Sequence, residues 1–117
     1  MKETKYNLSF VNKGKPFTVP NWTVEMHEKA MVEAVDATKG KKISEIEKEN
    51  ELKYYIILES LQKIDSTVTI ENVKEYFTHP ENIVEFFNIV YYKGKKDIYF
   101  HKALNTPKNK KVTSKKN

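Results

Sequence analysis

The stretch YNLSFVNKGKPFTVP, Tyr6 to Pro20, decides the fold class. Tyr6, Leu8 and Phe10 alternate with Asn7 and Ser9, and a period of two is the pattern of a half-buried strand. NKGK, Asn12–Lys15, follows and offers Gly14 for a turn at positive φ. Phe17 and Val19 then share one face of a second short run. Pro16 and Pro20 at its ends keep it short and confine it to an edge. The segment therefore predicts a β-hairpin, which must pack on other elements to be stable.

Downstream the period changes to that of a helix. Thr23 fits an N-cap, and Glu25 and Glu28 load the first turns with charge that suits the positive end of the helix dipole. Val24, Met26, His27, Ala30, Met31, Ala34 and Val35 recur at helical spacing, and Gly40 is a stop, so the first helix is predicted over 23–39. Ser44 with Glu47 matches a capping box for a second helix, 44–64. Within it YYIIL, Tyr54–Leu58, is apolar for five residues and predicts burial on more than one face. Thr69 caps a short third helix, 70–77. A fourth, 80–93, begins either with Pro80 as its first residue after His79 or with Thr78 and Glu81 as a capping box. Ile83, Val84, Phe87, Val90 and Tyr91 form its apolar face, widened by Phe86 and Ile89. Residues 98–104 read either as a last strand or as an arm. The predicted fold is α+β and mainly α: an N-terminal β-hairpin on three or four helices as one domain, 1–104. A disordered basic tail, 105–117, completes it.

The charge is unevenly placed. The chain of 117 residues carries a formal net charge of +5, and all 21 basic residues are lysine. Six of those lysines lie in residues 98–117, which contain no acid; the other fifteen stand with all 16 acids, a net of −1. The folded part is thus near neutral. Without arginine it lacks the planar fork that reads guanine or clamps phosphate, which argues against specific nucleic-acid recognition. There are no cysteines, so there are no disulfides and no thiolate zinc sites. No apolar run approaches the roughly 20 residues of a membrane span. MKETKYNLSF lacks the apolar core of a signal peptide, so a cytoplasmic protein is expected.

Motifs for chemistry are sparse. HEKAM, His27–Met31, begins like the zinc-protease signature HExxH but has Met31 in place of the second histidine. His27 is expected to line a helix face, His79 to cap or turn, and His101 to be solvated. EIEKENE, Glu45–Glu51, has no turn glycine for a calcium loop and reads as a solvated helix face paired with Lys48 and Lys53. No glycine-rich phosphate loop exists. No cofactor, metal or enzymatic activity is expected.

The aromatic residues of ENVKEYFTHPENIVEFFNIVYYKGKKD, Glu71–Asp97, carry the functional expectation. Their helical spacing and acidic flanks favour core packing over base stacking. Yet the fourth helix carries more rings than one face can bury. Phe86, Phe87, Tyr91 and Tyr92 are therefore candidates for a protein-binding face.

The order of segments, YNLSFVNKGKPFTVPNW, then TVEMHEKAMVEAV, then a short helix and THPENIVEFFNIVYYKGKK, resembles the tail assembly chaperones of long-tailed phages and prophages of low-GC bacteria. The resemblance spans about residues 5–97 and rests on segment order and texture. It implies a non-enzymatic helical adaptor that coats the tape-measure protein and recruits tail-tube subunits. Such a protein would act in the host cytoplasm, be absent from the virion, and possess a longer frameshifted form. A homo-oligomer is compatible with it. The alternative from another class is a small nucleic-acid-binding regulator using the Lys-rich tail. The fourth helix, with two glutamates, does not supply the basic face that role needs.

Overall fold

A computed structural model describes residues 4–93. Four helices organise them: α1 (Val24–Thr38), α2 (Glu45–Gln62), α3 (Ile70–Tyr76) and α4 (Pro80–Tyr91). α2 is the hub, packing against α1, α3 and α4. Ile56, Ile57, Leu58, Glu59, Ser60 and Leu61 are all buried, six consecutive positions that cover every side of the helix. A helix buried all round must be central, and the apolar run in YYIIL is where that burial begins.

The helix ends follow local chemistry. Thr23 Oγ1 accepts from Met26 N at 3.2 Å. Ser44 and Glu47 exchange both capping-box bonds, at 2.9 and 3.1 Å. Thr69 does the same with Asn72. At α4 the choice falls on His79 and Pro80: Glu81 N donates to His79 Nδ1 at 3.2 Å, with proline in the first turn. Gly40 takes φ +77° just past α1, a conformation that costs glycine nothing.

The predicted N-terminal β-hairpin is not formed, and the fold class is corrected from α+β to helical. Among the described residues there is no strand, only one antiparallel bridge between Tyr6 and Phe17. Their backbone groups exchange bonds of 2.8 and 2.9 Å. The next rung of a ladder would pair Leu8 with Lys15. Instead the Leu8 carbonyl accepts from Val11 N, and Lys15 N donates to the Asn12 carbonyl, at 3.0 Å each. The chain coils through Asn12, Lys13 and Gly14 at φ 54°, 56° and 77°. Asn12 N donates to Asp65 Oδ2 at 2.9 Å, which fastens the coil to the α2–α3 connection. Two hydrogen bonds from Thr67 and this one from Asn12 hold the Asp65 carboxyl below its ordinary range.

The burial alternation that suggested a strand is nonetheless present. Leu8, Val11, Phe17 and Val19 are buried, with Tyr6 and Phe10 packed beside them. The segment is an apolar loop laid across the helices, its hydrogen bonds closed within turns rather than along a sheet. The expectations for residues 98–104 and for the tail lie outside the described residues.

Candidate functional site

Aromatic side chains form two rows. One belongs to the core. Phe86 meets Tyr6 edge-on at 5.9 Å and stacks on Phe77 at 5.3 Å. Phe77 meets Tyr76, which touches Phe10 at 5.3 Å. Phe86 therefore ties the N-terminal loop to α3 and α4 and lies buried. It was a candidate for the binding face, and its burial removes it from the surface. The buried face of α4 is Ile83, Phe86 and Val90, with Val84 exposed.

The second row runs along the junction of α1 and α4. Trp22 N donates to the Lys93 carbonyl at 3.1 Å, which brings the entry to α1 beside the exit from α4. Trp22 meets His27 edge-on at 6.2 Å, and His27 meets Tyr91 at 5.8 Å. Tyr91 stacks on Phe87 at 5.2 Å with the planes 17° apart. Tyr92 stands edge-on to Tyr91 at 5.1 Å and is 47% exposed. Lys53 of α2 places its ammonium 5.6 Å from the Phe87 centroid, within range of a cation–π attraction. Three of the four candidate residues, Phe87, Tyr91 and Tyr92, thus form one edge of the molecule. Trp22 and His27 extend it across to α1.

Trp22 is a member of the row outside the four sequence candidates. It precedes the Thr23 cap, and His27 is the fourth residue of α1. That is the spacing of a hydrophobic staple, in which the residue before the cap packs on the fourth helical position. Trp22 Nε1 and His27 Nδ1 are buried within the row, with no hydrogen-bond partner among the described residues.

The row has little to do chemistry with. Among the described residues no three histidine, aspartate or glutamate side chains gather as metal ligands. His27 packs against the Trp22 and Tyr91 rings, and among the described residues no carboxylate is hydrogen-bonded to it to orient it as a general base. What the edge offers is flat apolar area with polar tips, the surface type that protein interfaces favour.

A separate cluster sits between α1 and α2. Glu59, 2% exposed, lies with its Oε2 3.5 Å from Lys29 Nζ. Burial, then a hydrogen bond that its protonated form donates to Glu33 and repulsion by the Glu33 charge, push its carboxyl up to about 7, against the pull of Lys29. Glu33 Oε1 is buried without a hydrogen bond among the described residues, and Glu59 Oε2 has only the ion pair with Lys29.

Among the described residues no helix is long and apolar enough to cross a membrane. Comparison with protein-family models, curated proteins and solved structures finds no match.

Proposed function

We propose that this chain is a non-enzymatic protein-binding module, and specifically a phage tail assembly chaperone. The row Trp22–His27–Tyr91–Phe87, edged by Tyr92, grips apolar helical segments of the tape-measure protein. The carrying observation is that this row forms one exposed-edged aromatic surface where the ends of α1 and α4 meet. An amphipathic helix docks by laying its apolar anchors into such a surface. Each contact is weak, and many copies along a long client supply the avidity. The tail-tube protein is the second partner in this role, and the host cytoplasm is its place of action.

The charge supports a protein client over nucleic acid. Residues 4–93 hold twelve lysines and fourteen acids, and α4 has two glutamates and no lysine. A surface for the phosphate backbone needs the opposite balance.

The test is co-expression with an apolar helical segment of the tape-measure protein, followed by co-elution and titration. The wild-type chain is expected to keep the segment soluble and elute with it. Tyr92→Ala is expected to weaken binding about tenfold with almost no change in melting temperature. Tyr91→Ala, half-buried within the row, is expected to lower both. A segment that precipitates beside the folded wild-type chain, or binds Tyr92→Ala undiminished, contradicts the proposal.

A further inference from the structure

The outer side of α1 carries a second apolar surface, remote in character from the aromatic row. Met26, Ala30 and Ala34 face α2 and are buried. Val24, Met31, Val32 and Val35 face away, at 74%, 40%, 59% and 58% exposure. Val24, Glu28, Met31, Val35 and Thr38 are spaced by four, three, four and three residues, which is the seam of a coiled coil. Glu25, Val32 and Lys39 flank that seam at seven-residue intervals, all exposed.

We infer that this face pairs with the same face of a second copy of the chain, the two α1 helices running antiparallel about a two-fold axis at Val32. The occupant is chosen by charge. In an antiparallel pair the flanking positions meet their own kind in the partner. Glu25 then faces Lys39 of the other copy, twice by symmetry, and Val32 faces Val32. Met31 meets Val35 in the central layers, and Glu28 meets Thr38 at the polar ends. A parallel pair would stack Glu28 on Glu28 within the seam, which repels. An isologous interface of this kind is self-complementary and closes as a dimer. The seam is about 22 Å long, at the small end of specific interfaces, so the dimer is reversible, with dissociation on the order of tens of micromolar. The N-terminal ends of the two α1 helices, each with its Trp22, lie at opposite ends of the pair.

Sedimentation of the full chain across about two decades of concentration reads the equilibrium directly. The average mass is expected to rise from 13.8 kDa toward twice that value. Val32→Asp, which sets two carboxylates on the axis, is expected to hold it at the monomer at every concentration. Glu25→Lys is expected to weaken the dimer roughly fivefold, and Glu25→Lys with Lys39→Glu to restore it. The natural chain has no cysteine, so Val32→Cys provides an independent reading. Under mild oxidation it is expected to cross-link far faster than Glu49→Cys, which is exposed on α2 away from the seam. A chain that stays monomeric, a dimer indifferent to Val32→Asp, a failed charge-swap rescue, or equal cross-linking of the two cysteine variants would each overturn the inference.

Discussion

Phe86→Ala is expected to lower the unfolding free energy by about 3–5 kcal/mol, the largest effect of any single side chain discussed above. Phe86 is buried, stacked on Phe77 and edge-on to Tyr6, so its removal opens a cavity where three parts of the chain meet. A loss of that size is a large share of the roughly 5–15 kcal/mol that holds a domain folded. Six residues on, Tyr92→Ala is expected to change stability by no more than about 0.5 kcal/mol. The pair separates the two aromatic rows by experiment. Denaturant unfolding checks both. Equal losses from the two substitutions would mean that Phe86 does not hold the core in the way its contacts indicate.

The second large effect is a dependence of stability on pH set by Glu59. Its carboxyl is pushed up to about 7 in the folded chain, from an ordinary value of 4.5. The folded state therefore holds a proton that the unfolded state has released. Stability from this source is fully present below about pH 4.5 and is lost progressively as the pH rises through about 7. The loss amounts to about 2–3 kcal/mol between pH 5 and pH 8. Glu59→Gln keeps the shape and can donate to Glu33 without ionising. It is expected to leave stability at pH 5 almost unchanged and raise it by about 1–2 kcal/mol at pH 8. Unfolding curves at the two pH values read the difference. A wild-type chain as stable at pH 8 as at pH 5, or a Gln variant with the same decline, would sink this account of Glu59.

The helices were legible because their signals are local. Thr23, Ser44 with Glu47, Thr69 and Pro80 act within three residues of themselves, and each end lies within two residues of where those signals place it. The hairpin does not form: alternation reports burial, not hydrogen bonding. Tyr6, Leu8 and Phe10 do turn inward, but the bond that fastens the coil joins Asn12 to Asp65, 53 residues away. No local pattern announces such a bond.

The faces of the helices were legible only in part. On α1 the periodic residues span about half the circumference. A helix with one principal neighbour buries a narrower stripe, and the small Ala30 and Ala34 let α2 approach there. That leaves Val24, Met31 and Val35 outside. On α4 the buried face includes Phe86 and leaves Phe87 at its margin, an offset of one residue, which is a rotation of about 100°. Spacing alone could not choose between them, because adjacent aromatics satisfy either rotation. Of the candidate site, Phe87, Tyr91 and Tyr92 follow from the surplus of rings on the fourth helix, and the staple spacing is the signal that points to Trp22.

The most direct test of the protein-binding claim is affinity capture from cells that make this chain natively, with and without nuclease, and identification of the retained proteins by mass. The account predicts a long, helix-rich, apolar tape-measure protein that survives nuclease and is depleted when Tyr92→Ala is the bait. Retention only of DNA-associated proteins, all lost on nuclease treatment, would contradict it.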